Sequence, residues 1–448
     1  MKLKDTSISP LDSRYSKQVQ PLAEIFNESY LNKTRYQIEI EWLIYICQKL
    51  PKFFIKLNKS QINLLNKIKN DFNDRDAKRI KSIEKRTNHD IKAVEYLIRE
   101  KFRKHKTLIK FEKYIHFGLT SEDINSMSYA LIYQHAKSVY LNKLNDLLKD
   151  LRSKSKNWKN TPLLARTHGQ PASPTTFGKE FKVFFARLEE EVSILKSIKL
   201  YGKWGGATGN FHTLSLINSK KDWVNFTIGF SKRLNININT ITTQIEPHDC
   251  IARLCHSIIR INNIVNDLNI DIWMYISKDL FKLKILKNEI GSSTMPHKVN
   301  PIDFENSEGN SELSNSMMIF FANKLTKSRL QRDLSDSTVQ RNIGVGISHS
   351  YLAINSTLKG LNKLIINKEV SSRELNDNWQ VLTEAIQTIM KLEGFDNAYE
   401  LIKDISRGTN LTKNSYLNVV ENLPISQKNK IFLKKLKPST YTGLSKNL

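Results

Sequence analysis

MSYALIYQHAKSVYLNKLNDLLKDLRS (Met127–Ser153) repeats apolar side chains every three or four positions and contains neither Gly nor Pro. This spacing places the apolar side chains on one face of a helix of more than twenty residues. CIARLCHSIIRINNIVNDLNIDIWMYI (Cys250–Ile276) has the same pattern and a similar length. Helices this long are typical of an extended bundle, and less so of a compact globin-like packing.

The rest of the chain has the same helical character. Apolar spacing of the helical kind occurs in nearly every segment of the 448 residues, and alternating strand patterns are scarce. The 16 Gly and 11 Pro residues concentrate between the periodic segments, where helices end. We therefore predict an all-α fold with a long central helical bundle. Breaks in the pattern predict three domains: an N-terminal helical domain (1–110), the bundle (111–364) and a C-terminal helical domain (365–448).

The charge is strongly positive, because 70 Lys and Arg stand against 44 Asp and Glu, for a formal net charge of +26. A nucleic-acid-binding protein would gather this charge in one arm or stripe. Here the Lys residues are spread along the whole chain together with many Asn and Ile, as an AT-biased genome would produce. We therefore expect no nucleic-acid partner, although a field that favours anionic small substrates is compatible with this composition.

The sequence shows no recognisable signal peptide, membrane helix or disulfide pattern, and we therefore predict a cytoplasmic protein without a membrane partner. The first fifteen residues lack the apolar centre of a signal peptide. The longest apolar runs, such as MMIFFA, are far below the roughly 18 residues of a membrane helix. Only three cysteines are present, which indicates no disulfide framework.

Three polar stretches lie in the first third of the chain. The pair Arg14 and Tyr15 in LDSRYS is typical of a surface anchor. In RTNHDIKAVEYLI, Thr87 and Asp90 fit a capping box that would place Asn88 and His89 in the first turn of a helix. In HFGLTSED, the residues Thr120, Ser121 and Asp123 are expected to open the long helix. Both helix starts could bind a carboxylate or phosphate, but a plain cap alone explains each, and at Asn88 and His89 the local residues favour the cap.

A fourth stretch, LLARTHGQPASPTTFGKEF, holds His168 between prolines and glycines in a segment that cannot be helical. Ser173 and Pro174 are expected as the N-cap and first residue of the next helix. General acid–base catalysis needs a group that titrates near neutral pH and is held in one orientation. His168 in this constrained loop meets that requirement, but a structural role is equally compatible with the loop.

The fifth stretch is GSSTMPHKVNPIDFEN (291–306), which divides into two halves. Gly291 and the serines after it predict a mobile loop that closes over a ligand. Asn300 suits an N-cap and Pro301 the first position of a helix whose early turns, including Glu305, are too polar for a core. In a sixth stretch, SRLQRDLSDSTVQRNIG, Ser337 and Arg341 are spaced to share one helix face and bind a phosphate.

Two further patterns predict no cofactor and no metal. EPHDCIARLCH contains two His and two Cys, but their spacing matches no familiar zinc pattern. YGKWGGATGN is rich in glycine, but it follows a helix and not a strand, which argues against a dinucleotide-binding loop.

The segment Gly291–Pro301 resembles the signature of the aspartase/fumarase superfamily, G-S-S-x-M-P-x-K-x-N-P, at every specified position. The resemblance implies a lyase that releases fumarate or a related acid, built as a helical bundle that associates into homotetramers. His297 within the signature, together with RTHGQPA, TNHDIKAVEY, TSEDIN and TTQIEPHD, is similar to the long bacterial form of the adenylosuccinate lyase family. That family eliminates fumarate from adenylosuccinate, giving AMP, and from the succinylaminoimidazole carboxamide ribonucleotide (SAICAR), giving AICAR.

The resemblance also implies roles for particular residues. Ser292 would be the general base, delivered by loop closure, and His168 the general acid, oriented by Glu305. Residues around the succinyl carboxylates and the nucleotide would be Arg14, Tyr15, Asn88, His89, Asp90, Thr120, Ser121, Gln244, Ser293, Lys298, Val299, Asn300, Asn306, Arg332, Ser337, Thr338, Val339, Gln340 and Arg341. In the family, three subunits of the tetramer build each site.

Two alternatives stay open at this point. Another fumarate-releasing lyase, such as argininosuccinate lyase, would share the signature. A non-catalytic basic RNA-binding protein could reuse the bundle and would explain the charge, but the full set of Ser292, His168, Lys298 and Glu305 argues against lost catalysis.

Overall fold

The computed structural model describes residues 7–285, 295, 297–406 and 411–448. Most of these residues are helical. The α-helices are, in chain order, α1 Ser16–Ala23, α2 Glu28–Lys49, α3 Lys59–Asn70, α4 Asp74–Thr87, α5 Asp90–Arg103, α6 Ser121–Asn157, α7 Phe177–Ser197, α8 His212–Ile217, α9 Trp223–Arg233, α10 Asp249–Ser277, α11 Ile302–Leu325, α12 Ser335–Gln340, α13 Ile343–Lys363, α14 Lys368–Asn376, α15 Thr383–Leu392, α16 Ala398–Ser406, α17 Lys413–Asn422 and α18 Gln427–Lys435. Short 3₁₀ helices cover Pro10–Asp12, Ile109–Tyr114 and Trp379–Leu382.

The two stretches with the strongest apolar periodicity form the two longest helices. Helix α6 has 37 residues and α10 has 29, so the prediction of helices above twenty residues is confirmed. Helix α6 begins at Ser121, where the Asp123 carboxylate accepts from the Thr120 N–H at 2.9 Å. It ends shortly before Pro162, which cannot continue a helix. Among the described helices, none is long and apolar enough to cross a membrane.

The described strands are short and pair with one another two by two. Strands β1 (Pro162–Thr167) and β2 (Gln170–Thr176) are antiparallel. The described strands also form a parallel pair, Tyr201–Lys203 with Asn237–Asn239, and an antiparallel pair, Phe281–Leu283 with Leu364–Ile366. Each of these sheets has only two strands, so the all-α class is unaffected.

The expected helix start at Ser173 and Pro174 is wrong. Both residues lie in β2, and Thr176 at the end of this strand pairs with Pro162. An irregularity in the pairing between Leu163 and Ala165 accommodates the proline. The next helix begins at Phe177, and the Thr176 hydroxyl caps it by accepting from the Lys179 N–H at 3.2 Å.

The chain divides into two compact units. The first comprises the chain up to Lys143, Ser193–Asn262 and Asn310–Leu352, and the second comprises Leu144–Val192, Asn263–Gly309 and Ala353–Leu448. The predicted division into three domains at residues 110 and 364 stays a prediction.

An aromatic cluster forms the core of the first unit. The fully buried Trp42 lies 5.1 Å from Trp204 and 5.0 Å from Phe230, measured between ring centroids. Its indole N–H donates to the Phe117 carbonyl at 2.9 Å, which satisfies the one polar atom of the ring. Burial of these large rings supplies much of the stability of this unit.

The second unit has its own apolar core in its C-terminal part. Trp379 and Tyr416 lie 5.4 Å apart between ring centroids, among buried side chains that include Leu382 and Ile386. The Tyr416 hydroxyl donates to the Leu433 carbonyl at 2.9 Å, so this buried polar group is paired.

A buried ion pair in the first unit predicts pH-dependent stability. His116 Nδ1 lies 2.6 Å from Glu39 Oε1, and Glu95 is 4.0 Å away. Burial alone would lower the His116 pKa, but Glu39, Glu95 and Asp123 together raise it above the ordinary value of 6.5. The charged imidazole therefore contributes stability that is complete below pH 6.5 and is lost as the pH rises through the raised pKa.

His116→Gln is expected to lower the free energy of unfolding by about 3 kcal/mol at pH 6, because it leaves the buried Glu39 carboxylate without its cation. The loss should shrink as the pH rises, since the wild type then loses the same charge. Urea denaturation at several pH values measures both effects. A variant as stable as the wild type at pH 6 would show that the pair contributes nothing.

Candidate active site

The predicted capping box at Thr87 is wrong, because Thr87 is the last residue of α4. Asn88 follows in the left-handed region with φ of 49°, which ends that helix. His89 is extended and is itself the N-cap of α5, since its Nδ1 accepts from the Lys92 N–H at 3.2 Å. Asn88 and His89 are both exposed on this sharp corner.

Asp90, the first residue of α5, lies between two arginines. Its Oδ2 is 2.8 Å from Nη2 of the buried Arg35 and 3.8 Å from Nη2 of Arg341. Burial would raise the Asp90 pKa, but Arg35, the Ile91 N–H and Arg341 hold it below its ordinary value. Two polar stretches that are far apart in the sequence, around residues 90 and 341, thus meet in the first unit.

The start of α6 is held by a fully buried ion pair. The Asp123 carboxylate accepts from Lys203 Nζ at 2.7 Å, and neither side chain is accessible to solvent. Asp123 also accepts from the N–H groups of Thr120, Gly205 and Gly206 at 2.9–3.2 Å. This network fixes the backbone of the Thr120–Ser121 corner against the glycine-rich segment.

Gln244 and Arg332 lie in direct contact. Arg332 Nη1 donates to Gln244 Oε1 at 3.1 Å, and Gln244 Nε2 donates to the Ala207 carbonyl at 2.9 Å. Arg332 Nη2 lies 3.1 Å from Oε2 of Glu122, a buried side chain. Sequence reasoning missed Glu122, because a glutamate in the first turn of a helix looks like an ordinary exposed residue that favours the helix dipole.

The residues 337–341 form one turn and its cap. Ser337, Thr338, Val339 and Gln340 belong to α12, and Arg341 is its C-cap. Gln340 is buried, with its Nε2 3.1 Å from Nε2 of His248, whereas Thr338 and Arg341 are exposed. Arg341 directly follows the helix that contains Ser337 and keeps helical backbone angles, and the phosphate site predicted at these two residues stays a prediction.

Arg14 and Tyr15 lie at the start of α1. The Arg14 guanidinium carbon is 5.7 Å from the centre of the Tyr15 ring, within the range of a cation–π contact. Tyr15 packs against the small apolar cluster of Leu11, Val19 and Leu352, and Arg14 is exposed. An anchored tyrosine with an exposed arginine suits either a surface anchor or a nucleotide contact.

His168 lies at the tip of the β1–β2 hairpin in the second unit. His168 and Gly169 both have positive φ, 52° and 76°, between the paired residues Thr167 and Gln170. This two-residue turn favours such backbone angles and leaves the imidazole exposed. A non-glycine residue in the left-handed region is uncommon, and it is often found where function requires it.

Glu305 and Asn306 lie at the start of α11, directly after the signature segment. This helix begins at Ile302, one residue after the predicted start, and the Pro301 carbonyl accepts from the Glu305 N–H at 3.4 Å. Glu305 Oε1 accepts from Trp273 Nε1 at 3.1 Å, and the Ser356 hydroxyl donates to Asn306 Oδ1 at 2.7 Å.

The signature residues before this helix are less constrained. Lys298 and Val299 are exposed and Asn300 is half-buried. The Lys298 N–H donates to the Met295 carbonyl at 3.0 Å. Ser292 and Ser293, with the predicted loop at Gly291, lie outside the described residues. Among those that are described, no hydrogen bond or ion pair joins His168 to Glu305.

In the described part of the chain, no group of three or more His, Cys, Asp and Glu side chains is arranged to hold a metal ion. Cys250 and Cys255 are buried, and burial raises the pKa of each thiol to about 12. Both are therefore protonated at neutral pH, which disfavours metal ligation.

Similarity to known proteins covers nearly the whole chain. The family model described as lyase matches residues 13–312, and the model described as adenylosuccinate lyase C-terminal matches residues 328–442. The adenylosuccinate lyase of Haemophilus influenzae is 43% identical over 99% of this chain and 98% of its own length. The adenylosuccinate lyases of Buchnera aphidicola (Schizaphis graminum) and Escherichia coli K12 are 45% and 43% identical over at least 96% of both chains.

Solved structures agree on the fold. A fumarate lyase from Mesorhizobium sp. BNC1 superposes with a TM-score of 0.76 at 15% identity, over 96% of each chain. The β-carboxy-cis,cis-muconate cycloisomerase of Acinetobacter calcoaceticus gives a TM-score of 0.72 at 14% identity, also over 96% of each chain. The predicted all-α, aspartase/fumarase-like fold is thereby confirmed. With relatives above 40% identity over its full length, the chain belongs to the adenylosuccinate lyase family.

Proposed function

We propose that this chain eliminates fumarate from adenylosuccinate, giving AMP, and from SAICAR, giving AICAR, in purine nucleotide synthesis. The observation that carries the proposal is the full-length similarity to enzymes named adenylosuccinate lyase. The contact of Arg332 with Gln244 supports it, because it joins a residue proposed for the nucleotide to one proposed for the succinyl group.

In the proposed reaction, a base removes the proton from the carbon next to a succinyl carboxylate, and the bond from the neighbouring carbon to nitrogen then breaks. The proton is weakly acidic, so cations and N–H donors must stabilise the developing dianion. We assign this stabilisation to Lys298 and Asn300, with Ser293, Thr120 and Ser121 on the carboxylates. Ser292 is the proposed base, and a dehydrated, cationic site would help it to ionise.

His168 is the proposed general acid, which gives its proton to the departing nitrogen. The hairpin supports this role, because a two-residue turn presents the imidazole on a rigid, exposed tip. Glu305 is proposed to face His168 and keep it protonated, since a carboxylate partner raises a His pKa.

The nucleotide is proposed to lie against Arg14, Tyr15, Arg332 and the turn of residues 337–341, with its phosphate near Ser337 and Arg341. Asp90, together with Asn88 and His89, would complete this side of the site. The Asp90–Arg341 contact supports this grouping, because Asp90 balances part of the positive charge before substrate arrives.

We propose a homotetramer in which three subunits build each site. The family resemblance implies this assembly, and large apolar side chains left exposed on α10 and α11, among them Trp273, Leu313 and Phe320, support an association of helices. Coexpression of His168→Ala with Ser292→Ala tests this. Mixed tetramers should regain a measurable part of the wild-type activity, because some sites then contain neither substitution. No recovery in tetramers shown to be mixed by native mass spectrometry would contradict shared sites.

We place this activity in the cytoplasm, which is supported by three buried cysteines that form no disulfide.

The substrate is tested by offering adenylosuccinate and argininosuccinate to the same preparation. We expect fumarate only from adenylosuccinate; fumarate only from argininosuccinate would replace the proposal with the related lyase. Binding of RNA that weakens steeply with salt, without release of fumarate from either substrate, would instead indicate a non-catalytic RNA-binding protein.

A further inference from the structure

A buried group of charges lies behind Arg332 in the first unit, and part of it has no role in the chemistry described above. Arg332 contacts Glu122 from the first turn of α6, at 3.1 Å, and Asp336 from α12, at 3.9 Å. Both carboxylates are almost inaccessible, with exposed fractions of 3% for Glu122 and 4% for Asp336. Burying a carboxylate costs free energy, so two buried carboxylates beside one arginine indicate that each has a structural or functional role.

Asp336 has partners that explain its position. Its Oδ1 accepts from the Ser337 N–H at 2.7 Å, and its Oδ2 is 3.6 Å from Nε2 of His248. Burial would raise its pKa, but His248 and Arg332 hold that pKa below the ordinary value. Asp336 therefore stays charged at neutral pH and ties α12 to the segment before α10.

Glu122 differs, because the contact that the structure describes for its carboxylate is the one with Arg332. Arg332 in turn uses Nη1 for Gln244, so Glu122 and Gln244 hold the two terminal nitrogens of one guanidinium. The buried Nε of Arg332 has no hydrogen-bond partner among the described residues. The plane of this guanidinium is thus set mainly by Glu122 and Gln244.

The guanidinium remains reachable, because 16% of the Arg332 side chain is exposed. Each terminal nitrogen of an arginine carries two N–H groups; Nη1 donates one to Gln244, and Nη2 forms ion pairs with Glu122 and, at longer range, Asp336. The second N–H of Nη1 is thus available to a ligand. A planar donor pair binds a phosphate or carboxylate well only in the right orientation, so whatever sets that orientation also sets affinity.

We propose that Glu122 is a positioning residue, whose ionised carboxylate holds Arg332 in the orientation that binds the nucleotide substrate, and whose protonation releases it. The inference rests on the proposed function, since it takes Arg332 as a substrate-binding residue. Glu122 does not touch the reacting atoms, so its effect falls on substrate affinity and not on the chemical step.

The neighbouring charges make Glu122 titrate in a useful range. Burial, and to a lesser extent Asp336, raise its pKa, while Arg332, His248 and Lys203 oppose the rise, and the result is about 7. Lys203 is already paired with Asp123, and Asp336 stays charged. Above pH 7 Glu122 is therefore ionised and holds Arg332; below pH 7 it becomes neutral and holds it less well.

Glu122→Gln tests the proposal, since it keeps the shape of the side chain and removes the charge. At pH 8 we expect KM for adenylosuccinate to rise about tenfold, with kcat changed less than about twofold. Between pH 8 and pH 6 the wild-type KM should approach that of the variant, because the wild type loses the same charge. The ratio of the two values cancels the titration of the substrate phosphate, which affects both proteins.

The matched control is Glu369→Gln, the same change at an exposed glutamate in the first turn of α14. It should behave as the wild type at every pH. If Glu122→Gln does not fold, Glu122→Asp is the second variant. It keeps the charge but is shorter by one methylene, so the carboxylate no longer reaches Arg332 in the same way and the KM of this variant should still rise.

Three results would overturn the inference: a folded Glu122→Gln whose KM follows the wild type at every pH, a loss confined to kcat, or an unchanged KM in Glu122→Asp. An inactive wild type would remove the proposed function itself, and the inference with it. Activity is therefore established in the wild type before any variant is compared.

Discussion

His168→Ala is expected to lower kcat for adenylosuccinate by about a hundred- to ten-thousandfold, the usual contribution of a general acid. Without the imidazole, the departing nitrogen leaves without its proton. KM should change little, because the ring acts mainly in the transition state. Steady-state kinetics on the purified variant measures both quantities.

The control for this prediction is His256→Ala, at an exposed position of α10 that has no proposed part in the site. It should retain wild-type activity. Circular dichroism should show the same helical content in both variants, since His168 lies on an exposed turn and not in a core. Near-normal turnover of a folded His168→Ala would remove His168 from the role of general acid.

Lys203→Met is expected to lower the free energy of unfolding by about 3 to 5 kcal/mol, because it leaves the buried Asp123 carboxylate without its cation and without solvent. Methionine has similar length and is apolar, so the loss reports the missing ammonium, which also donates to the Gly206 carbonyl at 2.5 Å, and not a cavity. Asp123 keeps its N–H donors from Thr120 and Gly206, which limits the loss. Urea denaturation measures the change.

Lys81→Met is the matched comparison, since Lys81 forms ion pairs with Glu28 and Glu84 at 2.9 and 2.8 Å but is 44% exposed. Solvent-exposed pairs contribute little, so this variant should lose less than about 1 kcal/mol. Equal losses in the two variants would contradict the view that burial makes the Lys203–Asp123 pair costly to break.

The long helices were predictable from the sequence, because apolar spacing in α6 and α10 persists over many turns. The helix start at Pro301 was predicted to within one residue, since Asn-Pro is a strong local signal. Local signals failed where a distant partner decided the outcome. Pro174 suits a helix start, but strand pairing with the segment from Pro162 places it in β2.

In the candidate site too, residues marked by a local sequence pattern were predictable, and residues whose role depends on distant partners were not. The family resemblance implied roles for His168 and Glu305 by their position in the chain. Glu122 and Lys203 could not be found in that way, because their importance comes from burial beside Arg332 and Asp123, and burial of a charge is a property of the fold. A capping pattern at Thr87 also misled, because Asn88 adopts a left-handed conformation that ends one helix before the next begins.

The most direct test of the central claim is the ultraviolet absorbance of adenylosuccinate mixed with the purified, full-length protein. We predict a protein-dependent change as adenylosuccinate is consumed, with AMP and fumarate in equal amounts by chromatography. The change should disappear in His168→Ala. A folded wild-type protein that leaves adenylosuccinate intact would contradict it.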